Sequence, residues 1–191
     1  MPVPGILTFG GGETFVSVTI PDDLMTNSQY MTGWWFSGIN FVGGAWGTVN
    51  LANYIPLYLP VAFTFDAFIT YNGATINGNL DIGVYDANDF SLIVSLGSTA
   101  QAGSINARQE YAVTATTLSP GAYFMGMASD SATGTYVKRG LATASRRNLH
   151  QIGGSYQTSA FPLPDPMVPD KGSAIAPFIP LMGLKRVGGL L

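Results

Sequence analysis

Alternation of apolar and polar positions dominates the middle of the chain. In "VAFTFDAFITYN" (61–72), Phe63, Phe65, Ala67, Ile69 and Tyr71 fall on one face, and Thr64, Asp66, Phe68 and Thr70 on the other. A period of two is the signature of a strand buried on one side. "LDIGVYD" (80–86) points Leu80, Ile82 and Val84 one way, and "SLIVSLG" (91–97) does the same with Leu92, Val94 and Leu96. "EYAVTATTL" (110–118) and "GAYFMGMAS" (121–129) are two further strands joined through a Ser-Pro-Gly turn. Upstream, "TFVSVTI" (14–20) alternates as well, and "TVNLANY" (48–54) reads as another strand. Turn chemistry separates the segments: two Asn-Gly pairs lie in "NGATINGN" (72–79), and "DANDF" (86–90) is Asp- and Asn-rich.

Only "PDDLMTNSQYM" (21–31) suggests a short helix, capped by Asp22 or Asp23 with Leu24, Ser28 and Met31 in line. Strand starts near 63, 79, 91, 109 and 121 are spaced by roughly 10–18 residues, as in an antiparallel β-sandwich of about eight strands. The pattern divides the chain into a Gly/Pro-rich arm over 1–12, a sandwich over 13–140, and a distinct segment over 141–191. That last segment is basic and small at first ("RGLATASRRNLHQIGG", 139–154). It then carries half of the prolines in "FPLPDPMVPDKGSAIAPFIPLMGLKRVGGLL". Proline removes an amide donor, so the tail is expected to be neither a helix nor a central strand. Its Phe161, Phe178, Ile179, Leu181 and Leu184 instead call for a surface to lie along, on its own domain or on a neighbour.

Composition sharpens the picture. Hydrophobic residues make up 47% of the chain and charged ones 10%, against about 25% in ordinary domains. A surface this poor in charge suits a protein covered by neighbours. Net charge is −3 but unevenly placed: residues 1–130 sum to −8 and residues 131–191 to +5. The basic part of one copy can therefore meet the acidic part of another, with nucleic acid a poorer fit to an acidic chain. There is no cysteine for a disulfide, a thiolate metal site or a nucleophile. The N-terminus lacks the pattern of a signal peptide, and the most apolar run, "YIPLYLPVAFTF", is interrupted by Pro56 and Pro60. Synthesis in the cytoplasm without membrane insertion is expected.

The segment 79–128 carries a resemblance. Its order "IGVYDAND…LIVSLGSTAQAG…ARQEYAVTATTLSPGAYFMGMAS" resembles one half of the jelly-roll β-sandwiches of bacteriophage virion proteins and related carbohydrate-binding modules. The corner of that motif is Leu118, Pro120, Gly121 and Tyr123. It covers about a quarter of the chain and marks fold more than function. The resemblance implies a jelly-roll-like virion component, decorating or cementing a head or belonging to a tail or fibre. Such a component works with copies of itself, a trimer first among the options, and with other virion proteins.

Candidate chemistry is sparse. All three tryptophans fall in "GWWFSGINFVGGAW" (33–46). If 33–37 is a strand, Trp34 and Phe36 share the core face and Trp35 stands opposite between Gly33 and Ser37. Trp35 is then covered by its own chain, buried under another subunit, or open to stack on a sugar ring, and the parity of Trp46 is left open. Trp35, Trp46, Tyr71, Phe178 and Leu181 are the candidate ligand or subunit contacts. Lys138, Arg139, Arg146 and Arg147 are the candidate charge-pairing contacts. A host surface glycan stacked on Trp35, with Trp46 or Tyr71 nearby, is the alternative partner. Asp86, Asn88 and Asp89 read as turn residues, since the glycine and distal Glu of a calcium loop are missing. With His150 the one histidine and no nucleophile elbow or phosphate loop, neither a catalytic residue, nor a metal site, nor a cofactor is expected.

Overall fold

The computed structural model describes residues 23–25, 42–140, 154–169 and 178–188. Among these the chain is all-β, with no helix and thirteen strands instead of eight. In chain order they are β1 (Asp23–Met25), β2 (Val42–Ala45), β3 (Leu51–Leu59), β4 (Phe63–Tyr71), β5 (Asn79–Asp86), β6 (Leu92–Ser95) and β7 (Thr99–Ala100). β8 (Arg108–Leu118), β9 (Gly121–Ser129), β10 (Thr135–Gly140), β11 (Ser155–Gln157), β12 (Phe178–Pro180) and β13 (Met182–Arg186) follow. The expected helix over 21–31 gives way at Asp23–Met25 to strand β1, which pairs with β13. The expected strand over 14–20 lies outside the described residues.

Every named strand pair is antiparallel. A six-stranded sheet runs β11-β3-β9-β5-β6, with β7 also on β5. A four-stranded sheet runs β1-β13-β4-β8, and a three-stranded one β12-β10-β2. The two smaller sheets adjoin. Leu181 joins β12 to β13; its amide donates to the Val137 carbonyl, and its own carbonyl accepts from Thr70 Oγ1. One cluster fills the space between the layers. Leu51, Ile55, Leu57, Ile82, Val84, Met125 and Met127 come from the six-stranded sheet, and Phe63, Phe65, Phe68, Met182 and Leu184 from the four-stranded one. Apolar side chains from two facing sheets are what a β-sandwich requires.

The predicted inward face of β5 holds, with Leu80, Ile82 and Val84 in the core, but two others shift. On β4 the register against β8 slips between Phe65 and Ala67, and Phe68 instead of Ala67 joins the core cluster. On β6 the register against β5 skips Ile93, so Val94 and Leu96 pack on the main core while Leu92 packs on the opposite face. A bulge inserts an unpaired residue and re-aims the side chains beside it. The corner after β8 closes as a unit: Leu118 and Tyr123 are buried, and the Tyr123 hydroxyl donates to the Ser119 carbonyl at 2.8 Å.

The C-terminal segment contradicts the expectation most directly. Residues 182–186 carry no proline, and β13 lies in the interior of its sheet, paired with β1 on one side and β4 on the other. Proline excludes a segment from a ladder only where it stands, and here the prolines cluster over 162–169 and at 177 and 180. The sandwich therefore includes strands from beyond residue 141. At the β3–β11 edge Asn53 faces Tyr156 across the strands, and both Asn53 amide atoms and the Tyr156 hydroxyl are buried without a hydrogen-bond partner among the described residues.

A chain ending at Gly154 would lose β11, β12 and β13 together. We expect it to show no cooperative unfolding transition by far-ultraviolet circular dichroism in urea, whereas the full chain unfolds cooperatively. A folded truncation would show that the C-terminal strands are dispensable.

Candidate functional site

Three of the candidate contacts do meet, but inside the chain. Trp46 is 1% exposed, and its indole Nε1 donates to the Leu51 carbonyl at 3.0 Å. Its ring packs edge-on against Phe178, with centroids 4.7 Å apart, and against Tyr136 at 5.3 Å. The Lys138 ammonium sits 3.9 Å from the centre of the Phe178 ring and donates to the Ala45 carbonyl. Burial lowers the pKa of this lysine. Cation–π attraction and a backbone acceptor thus hold Lys138 within its own fold. Leu181 is also buried, in the bridge between β10 and β4 described above. Tyr71 is half-buried at the end of β4, opposite Arg108.

The contact role expected of Trp46, Phe178 and Leu181 is therefore corrected to a core role. Glycine spacing around Trp46 could not show this, because the ring is buried by residues 90 and 132 positions away. Trp35, Arg146, Arg147 and His150 lie outside the described residues, and Arg139 is described only as backbone on β10. Another charge group pairs within the chain: Glu110 accepts from Lys185 at 2.8 Å and pairs with Arg108, and the Lys185 contact holds its carboxyl below the usual range.

What the sequence did not point to is the outward face of the six-stranded sheet. Gly83 on β5 and Gly126 on β9 stand directly opposite each other in the ladder. A Cβ on Gly126 would come within 3.0 Å of both the Tyr54 and Tyr85 rings. Those rings lie over Gly126, edge-to-face with centroids 5.5 Å apart, while Leu92 and Leu163 fill the space over Gly83. Residues 158–167 cross over them as a loop whose ends are tied by one side chain. Gln157 Oε1 accepts from the Val168 amide at 2.8 Å and from the Tyr54 hydroxyl at 3.0 Å. Ala160, Leu163 and Met167 seal a second apolar cluster with Ala52, Tyr54, Tyr85 and Ala128. This is the surface that the proline-studded tail lies along, and it belongs to its own domain.

Asp81 holds the middle of that loop. Its carboxylate is fully buried and accepts from the Leu163 amide at 2.9 Å and from Ser95 Oγ at 2.9 and 3.1 Å. Burial pushes its pKa up, and these hydrogen bonds oppose the shift without cancelling it. Desolvation of a charge is the dominant cost in such a site. The Tyr85 hydroxyl donates to the Pro164 carbonyl at 2.8 Å, and burial raises the pKa of both tyrosines.

Beyond the loop the same face ends in an aromatic strip. Pro56 opposes Phe124 and Tyr58 opposes Ala122 in the β3–β9 ladder. Phe90 packs edge-on against Phe124 at 6.1 Å, and the Met167 amide donates to the Phe90 carbonyl. Tyr58 and Val168 are each 66% exposed and Phe90 36%. Asp86 and Asp89 precede Phe90 by four residues and by one, and Asp165 is joined to Leu92, two residues after it. The turn residues behave as expected: Asp86 accepts from the Asn88 amide and Asp89 from the Ser91 amide, while Asp165 accepts from the Leu92 amide. Among the described residues, no three His, Cys, Asp or Glu side chains gather as metal ligands. The chain matches no protein-family model, no curated protein and no solved structure.

Two outcomes follow from these sites. Trp46→Ala should destabilise the fold by about 3–5 kcal/mol in urea unfolding, as expected for truncating a large buried aromatic. A change below about 1 kcal/mol would contradict the core assignment. For Asp81 the folded pKa lies above the unfolded value of about 3.9, so folding takes up a proton between the two. Its contribution is fully present below the unfolded value and is lost as pH rises through the folded one. Unfolding free energy of the native chain should therefore fall relative to Asp81→Asn as pH rises from about 4. Parallel pH profiles would remove Asp81 as the source.

Proposed function

We propose that the chain is a non-enzymatic structural protein that works by assembling with copies of itself and with neighbouring proteins. A bacteriophage virion component of jelly-roll-like type, in a head or a tail, is the setting that its sequence resemblance suggests. One observation carries this reading. Among the described residues, eight large apolar side chains are more than a third exposed: Val49, Tyr58, Val61, Phe90, Ile93, Ile105, Val168 and Val187. They stand on a chain with only 10% charged residues. Several charges are already committed internally, Lys138 to Phe178 and Glu110 to Lys185 and Arg108. A surface so composed gains by being covered, since each 100 Å² of apolar area removed from water is worth about 2.5 kcal/mol gross.

Light scattering of the purified full chain tests this. The expected result is a defined oligomer, a trimer first among the options, rather than a monomer. A monodisperse monomer at every salt and protein concentration would overturn the assembly reading.

A further inference from the structure

We propose that the acid-rimmed aromatic end of the six-stranded sheet is the acceptor surface for a second copy of this chain, which presents its basic stretch 139–147. This rests on the assembly reading above and names the surfaces that carry it.

The acceptor has three features. The first is an apolar strip in which Phe90 lies against Phe124, with Val168 beside the loop residue Met167. The second is its charge. Asp86 and Asp89 lie within four residues of Phe90 and Asp165 bonds the Leu92 amide two residues after it, while the described basic side chains stand on other strands: Arg108 on β8, Lys138 on β10, and Lys185 and Arg186 on β13. The third is strain. Phe90 adopts φ 65°, a left-handed conformation that suits glycine or asparagine and penalises a bulky side chain. Its amide bonds to the Asp86 carbonyl and its carbonyl to the Met167 amide, which hold the backbone there. A phenylalanine kept at such a position, with its ring partly exposed, is costly for the isolated chain. Strained residues that persist point to function. Contact with a partner that covers the ring accounts for it.

The occupant follows from charge. The chain itself carries the complementary group, since "RGLATASRR" places Arg139, Arg146 and Arg147 within nine residues with no acid among them. Alanine, leucine and threonine between the arginines suit an apolar strip ringed by carboxylates. Donor and acceptor are different patches, so the contact is heterologous and runs head to tail. Such a contact generates a closed ring when its rotation closes, or a filament when it does not.

Solution mass of the full chain and three variants decides the matter, each first checked for a native circular dichroism spectrum and thermal transition. Phe90→Asn relieves the backbone, so it should keep or raise stability while assembly is lost. Asp89→Lys and the double variant Arg146→Glu/Arg147→Glu should each be monomeric alone and assemble when mixed, because reversed acid then meets reversed base. Asn88→Lys replaces Asp89→Lys if the latter disturbs the turn. Native assembly should also weaken at least tenfold in apparent Kd between low and high salt. Oligomers that persist in Phe90→Asn and in both charge variants would overturn this surface and leave the assembly reading standing. Failure of the mixed variants to associate would overturn the pairing of these two patches. A native chain that is monomeric would remove both.

Discussion

The interaction on which the rest of the structure depends is the antiparallel insertion of β13 between β1 and β4. It brings residues 182–186 into the interior of a sheet whose other members come from residues 23–25, 63–71 and 108–118. Met182 and Leu184 then complete the core opposite the six-stranded sheet. Continuity through Leu181 carries the same chain into β12, where Phe178 closes over Trp46. Without this strand, Phe68 and Phe65 would lose a neighbour, and the indole of Trp46 would lose one of the rings that bury it. Contacts of such sequence separation are costly to form, since loop closure precedes their reward.

The outward face of the six-stranded sheet shows a second economy. Two opposed glycines remove side-chain bulk there: Gly126 where Tyr54 and Tyr85 lie down, and Gly83 where Leu92 and Leu163 pack. The rings then present a floor for residues 158–167, and polar groups on that floor find partners in the loop or at its start: Asp81 with Leu163, Tyr85 with Pro164, Tyr54 with Gln157 of β11. An extended proline-rich loop has few donors of its own to satisfy, which makes it a suitable cover for an apolar surface. What it leaves uncovered is the strip at Phe90 and Val168, and that remainder motivates the assembly proposal.

Much of the local structure was legible in the sequence. Period-two alternation located β4 and β5, the Ser-Pro-Gly turn separated β8 from β9, and Asp/Asn clusters located the β5–β6 turn with its side-chain-to-amide bonds. Legibility failed wherever an answer required knowing what lay across the sheet. Phe68 enters the core because a register shift at Asp66 turns the strand, and no feature of "FTFDAF" announces that shift. Leu92 leaves the core face for the same reason at Ile93. The candidate contact site was harder still. Trp46, Phe178 and Lys138 were picked out as sticky or charged, and each turned out to satisfy the others.

The sequence by itself determined that the protein is built of antiparallel strands, where several of them turn, and that its charge is sparse and unevenly divided. These follow from local stereochemistry and from composition, which need no knowledge of neighbours. Only the tertiary structure decided which prolines matter, which aromatic rings are core and which are surface, and that the tail is a component of the sandwich. Each of those depends on pairing between residues tens of positions apart. In a strand a slip of one residue exchanges inside for outside, so the ladder, not the pattern, settles the assignment.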